Sequence, residues 1–120
     1  MIRDILVVDD SRTELLFMSK LLTRHGYHVR TAENAEQALQ ALQEQLPDLI
    51  LMDVVMPGTN GFQLTRNIAR HPDYAQVPVF ICSSKSQETD RVWGLRQGAR
   101  DYLVKPVDPQ VLLAKIEAMA

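Results

Sequence analysis

Five short apolar runs, alternating with more polar, amphipathic stretches, restrict what this chain can fold into more than any other feature. The runs are Ile5–Val8, His28–Thr31, Leu49–Met52, Val79–Cys82 and Tyr102–Val104. Four are nearly continuous in apolar residues, which suits strands buried on both faces, as in a parallel sheet. The His28–Thr31 run alternates, so it is expected at an edge, where one side is wetter. Between the runs, Ala35, Ala38, Leu39, Leu42 and Leu46 fall on one helical face. Leu15, Met18 and Leu22 make a second stripe, and Leu112, Ile116 and Met119 a third.

The boundaries have chemical reasons. Ser11 with Glu14 reads as a capping box, and Asn34 with Gln37 as its amide counterpart. Asp108 before Pro109 is a cap followed by proline at the first helical position. Gly26 and Gly98 stand where a left-handed residue closes a helix. Strand–helix–strand crossovers are right-handed, so alternation of this kind gives a parallel sheet with helices on both faces. The expected class is α/β: a (βα)5 flavodoxin-like, doubly wound sheet with strand order 2-1-3-4-5. A chain of 120 residues suits one domain, 1–120, and is short for two.

In such sheets a site forms outside the carboxyl ends of the strands. Asp9-Asp10 follow the first run, Asp53 the third, Ser83 the fourth and Lys105-Pro106 the fifth, the four strands read as lying inside the edge. Three carboxylates in one crevice repel one another, and a divalent cation resolves this. Oxygen donors without a Cys or His cluster favour Mg²⁺ over zinc. A carboxylate there can act as a nucleophile and form an aspartyl-phosphate. Lys105 suits the role of a point charge on the phosphoryl oxygens, and Ser83 can donate a hydrogen bond to one of them.

Val7-Val8-Asp9-Asp10-Ser11, Met52-Asp53-Val54-Val55-Met56-Pro57-Gly58 with Gly61, and Tyr102-Leu103-Val104-Lys105-Pro106 resemble the signatures of CheY-like response-regulator receiver domains. The resemblance spans the whole chain in order and spacing. It implies that Asp53 is the phosphoacceptor. Asp10 and Asp53 would bind Mg²⁺ directly, with the Val55 carbonyl as third protein ligand and Asp9 acting through water. Lys105 would pair with the phosphoryl group, next to a cis Lys105–Pro106 peptide. Ser83 and Tyr102 occupy the family's switch positions. The implied partners are a CheA-like histidine kinase and a downstream protein read through helix four, strand five and helix five. More narrowly, Gln87–Gly94 and Arg96–Tyr102 resemble PilH-type single-domain regulators of type IV pilus twitching motility. That implies a receiver without an output domain, which catalyses only its own phosphorylation and dephosphorylation. A phosphate sink for a shared kinase and a phosphorylation-independent docking module are the alternatives.

Other readings are weaker. A phosphohydrolase with an aspartyl nucleophile lacks its general acid, because Val55 stands two residues after Asp53. A nucleotide or flavin binder lacks a Gly-x-Gly-x-x-Gly after the first strand. Val55 offers no side chain to position water and Lys85 places a cation near the site entrance, so these two are expected to set the phosphoryl lifetime. A net charge of −2 and pI near 5.9 give no general pull toward nucleic acid or anionic lipid. No run approaches the ~20 apolar residues of a membrane span. With no signal-peptide pattern and Cys82 as the lone cysteine, a reduced cytoplasmic protein is expected. Cys82 reads as a small buried hydrophobe, and His25, His28 and His71 as surface or boundary residues. Trp93 reads as core or half-buried, and as a partner anchor if exposed. Arg91, Arg96 and Arg100 read as a solvated face, with a phosphate or acidic-partner site as the lesser alternative.

Overall fold

Each apolar run becomes a strand, the three periodic stretches become helices, and two further helices form between the third, fourth and fifth runs. The computed structural model describes residues 1–119. In chain order they form β1 (Asp4–Val8), α1 (Arg12–Arg24), β2 (His28–Ala32), α2 (Ala35–Glu44), β3 (Leu49–Met52), α3 (Gly61–Arg70), β4 (Val79–Ser83), α4 (Glu88–Arg96), β5 (Asp101–Val104) and α5 (Pro109–Glu117). All neighbouring strands pair parallel, in the order β2-β1-β3-β4-β5. Successive strand residues point to opposite faces, and this splits the apolar runs into two cores. Leu6, Val8, Ile50, Met52 and Ile81 pack with Ala38 and Leu42 of α2 and Leu64 and Ile68 of α3. Ile5, Val7, Leu49, Leu51, Phe80 and Cys82 pack with Leu15, Met18 and Leu22 of α1 and Leu112 and Ile116 of α5.

Several expectations need correction. β5 is not interior: it forms the edge opposite β2, and Val104 is 45% exposed. Leu46 lies beyond the end of α2 and is half-exposed rather than on its buried face. The Ser11 capping box is half made. The Ser11 side chain accepts from Glu14 N–H, but Ser11 N–H donates to Asp9 Oδ1. Likewise Asn34 accepts from Gln37 N–H, while the Gln37 amide oxygen accepts from Glu33 N–H. The glycines at 26 and 98 do take positive φ, and Asp108 caps α5 ahead of its first-turn proline.

α2 has neither a glycine nor a basic residue to finish it, and its C-cap Gln45 is extended. Arg30 on β2 takes over. Its guanidinium donates to the carbonyls of Ala41 at 2.9 Å and Gln45 at 2.6 Å, satisfying groups that a helix end leaves unpaired. Arg30→Ala is expected to lower the unfolding free energy by about 1–2 kcal/mol in urea titration. No measurable change would mean that water replaces both bonds. Among the described residues no helix is long and apolar enough to cross a membrane.

Candidate functional site

Three strands hand over to charged residues at their carboxyl ends. Asp9 follows β1, Asp53 follows β3 and Lys105 follows β5. Each keeps the ladder going one residue past its strand. Asp9 N–H donates to Ala32 O at 3.0 Å, Asp53 N–H to Val8 O at 2.9 Å, and Lys105 N–H to Ser83 O at 2.8 Å. Main-chain register therefore fixes where these side chains begin, and all three project into the crevice at the strand ends.

The crevice gathers the charges tightly. Asp9, Asp10 and Asp53 each offer an oxygen within 4.8 Å of the others. Asp9 and Asp53 are buried and Asp10 is exposed. The Lys105 Nζ donates to Asp9 Oδ2 at 2.8 Å and to Asp53 Oδ1 at 3.3 Å. Burial, then the charge of Asp9, pushes the Asp53 carboxyl above its ordinary range, and Lys105 offsets this only in part. For Lys105, burial disfavours the charged form. The hydrogen bond to Asp9 and the charges of Asp53 and Asp9 outweigh that and raise its pKa, so it stays an ammonium. One ammonium against three carboxylates leaves the cluster short of positive charge. A donor set made only of oxygens fits a small hard divalent cation.

Two hydroxyls, from the end of β4 and from β5, meet at one loop residue. Ser83 is fully buried, and its oxygen accepts from Lys85 N–H at 3.1 Å. Tyr102 is buried, and its hydroxyl donates to Lys85 O at 2.8 Å. Both thus grip the same residue, in the loop between β4 and α4. Neither Ser83 nor Ser84 caps α4; Gln87 does, with Asp90 Oδ2 accepting from Gln87 N–H. Val55 is in the loop after β3 with its side chain exposed. Cys82 is buried among apolar side chains, and burial pushes its thiol up to about 12. It is inert at neutral pH.

A model of the response regulator receiver domain matches residues 5–117. The chain belongs to this family. As a receiver domain it is 50% identical to Protein PilH of Pseudomonas aeruginosa over 115 residues, covering 96% of this chain and 95% of PilH. It is 40% identical to the transcriptional regulatory protein AfsQ1 of Streptomyces coelicolor, covering 96% of this chain but 50% of AfsQ1. The chemotaxis protein CheY4 of Vibrio cholerae superposes with a TM-score of 0.91 at 29% identity, with both chains fully covered. Receiver domains bind Mg²⁺ at an acidic pocket, and Asp9, Asp10 and Asp53 form such a cluster here. They act with a histidine kinase and with downstream targets.

Three residues of this receiver site have roles that sequence reasoning did not read. Gly61 is legible as part of a signature but not for its reason, close approach: a Cβ there would lie 2.0 Å from the Asp53 carbonyl oxygen. Lys85 joins Ser83 to Tyr102 through its main chain, which no side-chain pattern announces. Glu14, read only as a capping partner, lines the small cavity beneath the cluster with Asp9, Asp53 and Lys105.

Proposed function

We propose that this receiver takes a phosphoryl group from a CheA-like histidine kinase onto Asp53 and thereby switches the surface made by α4, β5 and α5. The observation that carries this reading is the buried Asp53 carboxylate with the Lys105 ammonium 3.3 Å away and two further carboxylates beside it. An oxygen of Asp53 forms the new P–O bond as the P–N bond of the donor phosphohistidine breaks. The electron pair goes to the imidazole nitrogen. Lys105 faces the oxygens on which charge accumulates.

Asp10 and Asp53, with the Val55 carbonyl, would hold Mg²⁺. Bound there, the ion neutralises carboxylate charge and offsets charge on the phosphoryl oxygens. Both Asp9 oxygens are engaged, Oδ1 by Ser11 N–H and Oδ2 by Lys105, which supports a role for Asp9 through water. The Ser83 oxygen accepts from Lys85 and keeps its O–H to donate to a phosphoryl oxygen. Movement of Ser83 pulls on the Lys85 peptide that Tyr102 holds from the other side, and this supports Ser83 and Tyr102 as the switch pair. Similarity to PilH favours a chemosensory or type IV pilus pathway in the cytoplasm, with residues 1–120 acting as a single receiver.

The test is intact mass after incubation with a small phosphodonor, with and without Mg²⁺. One phosphoryl adduct is expected, requiring Mg²⁺ and lost in Asp53→Asn. An adduct that survives in Asp53→Asn assigns the chemistry to another carboxylate. The same variant should be more stable than the native protein in metal-free buffer at pH 7, by about 1 kcal/mol. The sign follows from the raised pKa of Asp53. A carboxyl that binds its proton more tightly folded than unfolded adds stability in acid. That stability is lost as pH rises from the ordinary carboxylate range through the folded value. At neutral pH the Asp53 charge therefore opposes folding, and the gap between the two proteins should close in acid. Val55→Asn and Lys85→Glu should each change the decay of the phosphoprotein several-fold, read by mass after the donor is removed. Unchanged decay would leave the lifetime to other groups.

A further inference from the structure

Charge is unevenly spread on this acidic protein. α3 contains no acidic residue, and neither does the stretch Arg91–Arg100. Arg66 and Arg70 share one face of α3, four residues apart. Arg96 lies three residues after Trp93 on α4, and Arg100 follows that helix. The two helices meet at their ends, where the Cβ position of Gly98 is 2.7 Å from the Ala69 Cβ. Arg70 and Arg100 flank that contact. Among the described residues none of Arg66, Arg70, Arg96 and Arg100 makes an ion pair.

An aromatic ring sits beside these arginines, with Asp90 one turn before it held in the N-terminal cap of α4. Trp93 is 49% exposed and lines a groove of about 130 Å³ between α3 and α4 with Phe62, Gln63, Arg66 and Gln97. Only Gly94 of α4 is buried, so the outer apolar side chains of that helix are not used by the core. The groove lies on the α3 flank of α4, away from β5 and α5. Tryptophan and arginine are the residue types most enriched at binding hot spots. The unpaired Arg66 lines the groove with that ring, Arg96 lies one helical turn beyond it, and Arg70 and Arg100 stand where the two helices meet, a set that favours carboxylates opposite it.

We propose that the α3–α4 groove docks an acidic, amphipathic segment of a partner protein, with an apolar side chain against Trp93 and carboxylates facing Arg66, Arg70, Arg96 and Arg100. The proposal concerns a different flank of α4 from the α4–β5–α5 surface and needs no phosphorylation at Asp53.

The test is a fluorescence titration of the full chain, whose single tryptophan reports from the middle of the groove. The probe is a synthetic helical peptide with Glu on its polar face and Leu at three- and four-residue spacing. We expect a saturable blue shift of Trp93 emission that weakens with salt and weakens by about 10-fold or more in Arg66→Glu/Arg96→Glu. A charge-matched Arg3→Glu/Arg24→Glu variant, altered at the start of the chain and on α1 across the sheet, should bind like the native protein. Far-UV circular dichroism shows that each variant is folded, and Arg96→Gln serves if the double reversal is not. Unmoved emission overturns the proposal. So does equal weakening in both double variants, or a stronger response to duplex DNA or to phosphatidylserine vesicles than to the peptide.

Discussion

A Gly61→Ala variant is expected to lose about 3 kcal/mol or more of unfolding free energy, a large share of what a domain of this size has. Gly61 opens α3, and its N–H donates to Val54 O at 2.8 Å. This bond pins the helix start directly onto the loop that leaves β3. An added Cβ would stand 2.0 Å from the Asp53 carbonyl oxygen, 2.8 Å from the Asp53 carbonyl carbon and 2.8 Å from the Val54 Cα. All three are backbone atoms, so no side chain can turn aside to make room. Either α3 moves off, losing its buried contacts through Leu64 and Ile68, or the acceptor loop moves and takes Asp53 with it. Urea titration reads the first outcome, and loss of phosphoryl uptake in a still-folded protein reads the second. A variant that keeps both stability and uptake would mean that the loop between Val54 and Gly61 absorbs a methyl group freely.

The same glycine marks where the sequence stops being legible. The apolar runs of β1, β3 and β4 could be read because strands buried on both faces must be apolar throughout. The charges after β1, β3 and β5 could be read because fold class alone sends Asp9, Asp53 and Lys105 to one crevice. β5 misleads by the same rule, since Tyr102-Leu103-Val104 is as continuous as an interior strand while Val104 faces solvent at the sheet edge. Leu46 misleads because the periodicity carries past Glu44, although Pro47 keeps the residue before it out of the helix and the Arg30 guanidinium takes up the last carbonyls. α4 offers no stripe to find, because its one buried residue is Gly94, seated with its Cβ position 3.0 Å from Ile81 and Tyr102 side-chain atoms. The Lys85 link between Ser83 and Tyr102 runs through a peptide N–H and a carbonyl, which every non-proline residue possesses. Contacts made by main chain, or by the absence of a side chain, leave the weakest trace in a single sequence.

Lys105→Ala is expected to slow phosphoryl uptake from a small donor by about 100-fold, the scale for deleting one preorganised charge at a transferring group. It should also lower stability by about 2–3 kcal/mol in metal-free buffer, because the partners of a buried ion pair are left uncompensated. The Nζ serves two carboxylates at once, at 2.8 Å and 3.3 Å, with its side chain mostly out of solvent. Removing it strands Asp9 and Asp53 together in a buried crevice. A double-mutant cycle separates the two effects. In an Asp53→Asn background one of the stranded charges is already gone, so deleting Lys105 should be less damaging by about 1 kcal/mol. Added Mg²⁺ should narrow the stability gap between Lys105→Ala and the native protein, since the carboxylates freed of Lys105 bind the cation more tightly and mass action then stabilises the variant more. The pH dependence has a definite sign. Lys105 holds its proton more tightly folded than unfolded. Its contribution is therefore complete below the ordinary lysine range and is lost only as pH rises through the folded value. The deficit of Lys105→Ala should persist across neutral pH and shrink in strong alkali. Native uptake rates in Lys105→Ala would reduce the residue to a structural counter-charge. Slowed uptake with no loss of stability would mean that Asp9 and Asp53 already share a proton in the resting protein.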